Sequence, residues 1–140
     1  MKKIFRFLLY LLPWFIPSLI FRFDTSFYDV VKKPFFAPPG IVFAIIWPIL
    51  YVLIALALYN NKNKTLEYYK SLIINYFSNQ IYTFLFFGIK SPFIAFVDTI
   101  IVFISSLFLY NETKSKFLFP YIIWNLFATI LSLSIYLMNL

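Results

Sequence analysis

Five apolar stretches, each long enough to cross a lipid bilayer as a helix, occupy most of this 140-residue chain. The hydrocarbon core of a bilayer is about 30 Å thick, so a spanning helix needs roughly 20 mainly apolar residues. The predicted spans cover residues 4–21, 41–59, 68–87, 92–110 and 117–138. The sequence therefore predicts an all-α polytopic membrane protein. It would form a single domain over residues 1–140, a bundle of five transmembrane helices with a long ordered loop between helices 1 and 2.

The third stretch gives the weakest signal because polar residues interrupt it: Asn75, Ser78, Asn79 and Gln80. Asn75, Asn79 and Thr83 follow one another at four-residue steps, which places them on one helix face. The fifth stretch carries a similar set: Asn125, Thr129 and Ser132. Lipid cannot satisfy such groups, so both stripes are expected to face the bundle interior. They would make either interhelical hydrogen bonds or a few polar contacts to a ligand.

Composition excludes several kinds of site. Hydrophobic residues make up 63% of the chain, against about 45–50% in soluble domains. The chain has no cysteine and no histidine, which removes thiolate nucleophiles, disulfides and the commonest general base, metal ligand and haem ligand. We find no standard nucleophile–base pair and therefore expect no enzyme of ordinary type, no metal site and no required cofactor.

The net charge of +7 comes from basic residues at the ends of the apolar stretches. This placement is typical of membrane orientation and contact with anionic lipid, not of nucleic-acid binding. One side would hold Lys2, Lys3, Arg6, Lys62, Lys64, Lys70, Lys114 and Lys116. The other side would hold Arg22, Lys32, Lys33 and Lys90. The excess on the first side predicts a cytoplasmic N terminus in a multi-pass protein of a bacterial plasma membrane.

The first stretch follows Lys2 and Lys3, as a secretory signal would, but no small-residue cleavage site comes after it. We therefore expect a retained helix, kinked at Pro13 and Pro17. This helix could provide a homodimer face. Asp98 is the one carboxylate well inside a predicted span. It has either a structural hydrogen-bonding role or a functional one.

The connection from Arg22 to Gly40 is the longest and is rich in aromatic residues and proline. Long loops in compact proteins are usually functional or disordered, and this composition does not suit a flexible linker. We expect the loop to fold over the mouth of the bundle. Pro38 and Pro39 suit a rigid first turn of the second helix.

One segment resembles the TspO/MBR family, the tryptophan-rich sensory proteins related to the translocator protein. It is Lys33-Pro34-Phe35-Phe36-Ala37-Pro38-Pro39-Gly40-Ile41-Val42-Phe43, followed by Trp47 and Leu50-Tyr51. Further matches follow in order: Asn79, Phe86-Phe87-Gly88, Pro120-Tyr121, Trp124, Phe127-Ala128 and Asn139. The family's five-helix fold agrees with the apolar stretches.

The chain departs from the family pattern at several positions. The family has Trp-Tyr where this chain has Phe27-Tyr28, and often Trp where it has Phe36. The family has Trp-Ser in place of Tyr82-Thr83, and Leu-Asn in place of Leu131-Ser132. The chain has only three tryptophans. Most of these changes keep an aromatic or a small polar group, so they bear on ligand preference more than on fold.

Trp47 and Tyr51 share one helix face, as do Trp124 and Ala128, because each pair is four residues apart. In isolation such aromatics are usually packing residues or interface anchors. The resemblance implies a ligand pocket instead. Its predicted residues are Phe35, Phe36, Pro38, Pro39, Trp47, Tyr51, Asn79, Tyr82, Trp124 and Ala128.

The resemblance implies binding of porphyrins or other tetrapyrroles, or of other hydrophobic small molecules such as sterols, by a sensor, regulator or transporter. Lys32 or Lys33 could meet the propionates. Without histidine or cysteine, we expect metal-free porphyrin, or haem held by its ring. Two alternatives stay open: light-dependent porphyrin degradation that uses Trp47 and Trp124, and a ligand-free membrane scaffold or regulatory subunit.

Overall fold

The computed structural model describes all 140 residues and contains only helices and connecting segments. The six α-helices are α1 (Lys2–Ile20), α2 (Ser26–Val30), α3 (Gly40–Asn60), α4 (Leu66–Thr83), α5 (Pro92–Thr113) and α6 (Phe119–Met138). A π-helical turn at Phe84–Gly88 extends α4, and a 3-10 turn at Lys116–Leu118 precedes α6. The predicted all-α class is confirmed. The short helix α2, within the long loop, was not predicted.

Four helices are long and apolar enough to cross a membrane. They are α1, α3, α5 and α6, the last counted with its preceding 3-10 turn. The structure thus supports four of the five predicted spans. Helix α4 does not qualify, because its mean hydropathy is lowered by four polar residues: Asn75, Ser78, Asn79 and Gln80.

The five long helices form a closed ring. Helix α1 packs on α3, α3 contacts α6, α6 packs on α5, α5 packs on α4, and α4 touches α1. Large apolar side chains on the outer faces are exposed, for example Ile45, Ile49, Phe77, Ile104 and Ile123. An apolar outer surface of this kind suits contact with lipid chains.

A network of polar side chains lies between α4, α5 and α6. The amide nitrogen of Asn75 donates to the Val102 carbonyl at 3.2 Å and to the Ser105 hydroxyl at 3.0 Å. Tyr121 donates to the amide oxygen of Asn75 at 2.9 Å and accepts a hydrogen bond from Asn79 at 2.8 Å. Asn75 and Asn79 of the predicted α4 stripe therefore face inward and join three helices by hydrogen bonds, whereas its third member, Thr83, is exposed.

The long loop is ordered across one end of the bundle. Tyr28 and Val31 are buried with Phe86 and residues of α5 and α6. The Tyr28 hydroxyl donates to the Pro38 carbonyl at 2.5 Å. At the far end of the chain, Asn139 accepts a hydrogen bond from the Lys32 amide and donates one to the Lys32 carbonyl. These contacts tie the start of the loop to the segment that precedes α3 and hold the loop to the end of α6.

Candidate ligand cavity

A cavity of about 580 Å³ lies inside the helix ring, beneath the long loop. All five long helices, the π-helical turn and the loop contribute to its wall. Small-molecule sites in proteins have volumes of about 300–1,000 Å³ and mainly apolar walls with a few polar groups. The cavity fits this description.

Aromatic rings form one corner of the cavity. The rings of Trp47 and Trp124 are 6.5 Å apart and perpendicular. Phe43 lies edge-on to Trp124 at 5.7 Å, and Tyr51 lies 5.7 Å from Trp47. A flat ligand could pack against the face of one tryptophan and meet the edge of the other.

Helical periodicity explains this corner. Phe43, Trp47 and Tyr51 follow one another at four-residue steps on α3, so all three point to the same side. Ala44 and Ala128 also line the cavity. Their small side chains leave open space between the large rings.

The π-helical turn supplies a second aromatic wall. Its backbone is marked by a 2.8 Å hydrogen bond from the Ile89 amide to the Phe84 carbonyl. Phe86 and Phe87, consecutive in sequence, both line the cavity. Phe86 is stacked on Tyr82 with an interplanar angle of 6°. Single π-helical turns of this kind often occur at functional sites.

Two residues of the cavity lining carry buried polar atoms without partners within the protein. The indole nitrogen of Trp124 and the amide nitrogen of Asn125 are buried and make no hydrogen bond, and both residues line the cavity. Asp98 also has an unpaired buried oxygen, but it is not part of the lining. Buried donors normally have partners, but these two nitrogens have almost no accessible surface, so they lie behind the cavity wall and do not face the cavity.

The loop closes one end of the cavity with Thr25, Tyr28 and Asp29. Burial, together with the nearby Asp29 carboxylate, raises the pKa of Tyr28 above its usual range. The Lys33 ammonium donates to the carbonyls of Tyr28, Asp29 and Val31 and lies over the Tyr28 ring. Lys33 thus stabilises the loop, and neither Lys32 nor Lys33 lines the cavity.

Six of the ten predicted site residues line the cavity: Trp47, Tyr51, Asn79, Tyr82, Trp124 and Ala128. The other four lie elsewhere. Phe35 is 100% exposed, and Phe36 is 37% exposed with its ring 6.2 Å from that of Phe127. Pro38 and Pro39 precede α3, and Pro38 serves as the acceptor for Tyr28.

Several lining residues were not predicted. Phe43 could have been found from the sequence, because it lies four residues before Trp47 on the same helix. Asn125 belonged to a predicted inward stripe but was not assigned to the pocket. Phe86 and Phe87 could not have been placed on one wall, since a regular α-helix turns consecutive residues about 100° apart.

Comparison with known proteins identifies relatives of this chain. The sequence matches the TspO/MBR family over residues 7–137. It is 38% identical over 136 residues to the Tryptophan-rich protein TspO of Bacillus cereus, covering 90% of this chain and 89% of that protein. It is 34% identical over 127 residues to the protein of the same name from Archaeoglobus fulgidus, covering 81% and 80%. The Uncharacterized membrane protein YtaB of Bacillus subtilis is 35% identical over 133 residues, covering 86% and 85%. The family match and the alignments with these relatives each extend over most of the chain. This chain therefore belongs to the TspO/MBR family of membrane proteins.

Proposed function

We propose that this protein binds a flat, largely apolar ligand of the tetrapyrrole class in the cavity, and acts as a sensor, regulator or transporter of that ligand. The observation that carries the proposal is the aromatic corner of Trp47 and Trp124, which faces a cavity of about 580 Å³. Stacking on an indole face and contact with a second ring's edge suit an extended π-system. Any carboxylates of the ligand would lie toward the loop, where the Lys32 side chain is exposed.

We further propose that α4 is a fifth membrane span. Its polar residues Asn75 and Asn79 are buried in the bundle, whereas Ile73, Ile74 and Phe77 are exposed on its outer face. A helix of this kind can cross a bilayer in spite of its low mean hydropathy, because its neighbours satisfy its polar groups. The N terminus would then lie in the cytoplasm and the long loop on the other side of a bacterial plasma membrane.

Ligand binding can be tested by quenching of tryptophan fluorescence with protoporphyrin in detergent micelles. The chain has three tryptophans, and Trp14 is buried outside the cavity. The double variant Trp47→Phe, Trp124→Phe should bind at least about 10-fold more weakly, because it loses the larger faces of both indoles. Trp14→Phe is the matched control and should keep wild-type affinity. Unchanged affinity in the double variant would contradict this site.

The topology has a separate test. The chain has no cysteine, so single cysteines placed at Lys64 and at Lys32 can be labelled without background. A membrane-impermeant maleimide added to intact cells should label the Lys32 position and spare the Lys64 position. Labelling of both from the same side would contradict the proposed spans.

A further inference from the structure

Two cations and two aromatic rings meet where α1 packs against the last turns of α3. The Arg6 guanidinium lies 5.3 Å from the centre of the Tyr59 ring. The Tyr10 ring is edge-on to Tyr59 at 6.3 Å, and the Lys64 ammonium donates a 2.7 Å hydrogen bond to the Tyr10 hydroxyl. Arg6 and Tyr10 share one face of α1, because they are four residues apart. We call these four residues the cation cluster, and none of them lines the cavity.

The cation cluster offers hydrogen-bond donors without acceptors for them. The Arg6 guanidinium carries five N–H groups, and it makes no hydrogen bond or ion pair within the protein. Lys64 uses one of its three N–H groups on the Tyr10 oxygen, which leaves the Tyr10 proton free for another acceptor. Three side chains therefore present free donors, and two of them carry a positive charge.

No carboxylate of the protein pairs with these two charges. The one ion pair of the structure joins Lys70 to Glu67 on α4. Glu112 approaches the connection between α3 and α4, but its carboxylate accepts hydrogen bonds from the side chains of Asn63 and Thr65. An anion that complements the cation cluster must therefore come from outside the protein.

The position of the cluster in the membrane selects the kind of anion. Helix α1 is long and apolar enough to cross a bilayer, and Arg6 lies about one turn after its first residue. Phe5, Leu9, Leu12 and Ile16 are exposed and follow one another at helical spacing, so they form an apolar stripe along α1. The acyl chains of a lipid can lie on this stripe while its phosphate reaches the cations.

We propose that the cation cluster binds the phosphodiester of an anionic glycerophospholipid, such as phosphatidylglycerol. The Arg6 guanidinium would hold two phosphate oxygens side by side, since its planar fork matches that geometry. The Lys64 ammonium and the Tyr10 hydroxyl would donate to the same phosphate, which would then join α1 to the connection after α3. A zwitterionic lipid brings its own cation and would leave the two protein charges uncompensated. This inference does not depend on the function proposed for the cavity.

Lipid preference can be measured by native mass spectrometry of the delipidated protein in detergent micelles. The protein is titrated with phosphatidylglycerol and, separately, with phosphatidylcholine that carries the same acyl chains. Wild-type protein should bind phosphatidylglycerol about 10-fold or more tightly, because only this lipid brings a net negative charge to the two cations. Equal affinities for the two lipids would overturn the inference.

The double variant Arg6→Gln, Lys64→Gln removes both charges of the cluster. Its affinity for phosphatidylglycerol should fall about 10-fold or more, to near that for phosphatidylcholine. The control Lys114→Gln, Lys116→Gln loses the same net charge between α5 and α6 and should keep wild-type affinity. All four substituted side chains are exposed, so both variants should fold as the wild type does. An equal loss in the two variants would mean that overall charge alone attracts the lipid, and it would overturn the site.

A competition experiment separates a lipid from a free phosphate ester. Glycerophosphoglycerol has the phosphodiester and headgroup of phosphatidylglycerol but no acyl chains. It should not displace bound phosphatidylglycerol at equal concentration, because it makes no contact with the apolar stripe of α1. Displacement at equal concentration would show that the cation cluster binds soluble phosphodiesters and would overturn its assignment as a lipid site.

Discussion

The hydroxyl of Tyr76 on α4 donates a 2.7 Å hydrogen bond to the carbonyl of Pro13, inside α1. This carbonyl is free because residue 17 is also a proline, which has no N–H for the i→i−4 bond. Gln80, one turn further along α4, reaches the carbonyl of Trp14 at 3.4 Å. Pro17 thus frees an acceptor through which α4 bonds to α1, a helix that packs mainly on α3.

Tyr76→Phe should loosen α1, because it leaves the Pro13 carbonyl without a partner in an apolar environment. The expected loss in free energy of unfolding is about 1 kcal/mol, measured by unfolding in mixed micelles of increasing denaturing detergent. Tyr69→Phe is the control, since Tyr69 is exposed on the same helix. Equal stability of the two variants would rule out this role for Tyr76.

Tyr121→Phe should destabilise the bundle more strongly. Its hydroxyl bonds to Asn75 and Asn79 at once, so the variant leaves two amides of α4 without their shared partner. We expect a loss of about 2 kcal/mol in the same unfolding assay. Tyr136→Phe, on the same helix but only partly buried, should cost little. A small effect at position 121 would show that the network is not needed for stability.

Asn139→Ala should release the loop from α6. Asn139 accepts from the Lys32 amide at 3.0 Å and donates to the Lys32 carbonyl at 2.9 Å. Without this pair, the Lys32 amide should exchange with deuterium about 10-fold faster or more. Asn111→Ala, at the opposite end of the bundle, should leave this exchange unchanged. Slow exchange in Asn139→Ala would mean that burial of Tyr28 and Val31 is sufficient to hold the loop.

Alkaline pH should also release the loop. Burial raises the pKa of Tyr28 above its ordinary value of 10.0, so the folded loop favours the protonated hydroxyl. This contribution to stability is fully present below pH about 10 and is lost as pH rises through the folded pKa. Deprotonation removes the donor to the Pro38 carbonyl. Protease cleavage of the loop should therefore increase as the pH rises through the pKa of Tyr28 in the folded protein.

Tyr28→Phe provides the control for this titration. It removes only the hydroxyl and keeps Lys33, whose ammonium lies over the ring of residue 28. If the tyrosine is the titrating group, the variant should show no step in cleavage. An unchanged step would show that the Tyr28 hydroxyl is not the titrating group.

Much of the helical architecture could be predicted from the sequence. The predicted spans 41–59, 92–110 and 117–138 agree within a few residues with α3, α5 and α6. Each is a long apolar run bounded by polar residues, and such runs need no tertiary information to be recognised. Helix α2 has only five residues, too few for a periodic pattern, and it forms because Tyr28 packs against the bundle.

The site was predictable only in part. Shared faces on α3 and α6 follow from helical periodicity, and Trp47, Tyr51, Trp124 and Ala128 line one cavity. Phe35 lies within the segment that carries the family resemblance, yet its ring points away from the bundle and is fully exposed. A loop has no repeating geometry, so the direction of its side chains depends on distant contacts such as that between Lys32 and Asn139.

By itself, the sequence determined a membrane environment, an all-helical fold, and a site without histidine or cysteine chemistry. These properties depend on composition and on residues three or four positions apart. Only the tertiary structure decided which atoms face the cavity. Asn79 offers its oxygen because a chain of hydrogen bonds that begins at the Val102 carbonyl and passes through Asn75 and Tyr121 uses its nitrogen. Those groups lie on three different helices, and no local pattern could have set their direction.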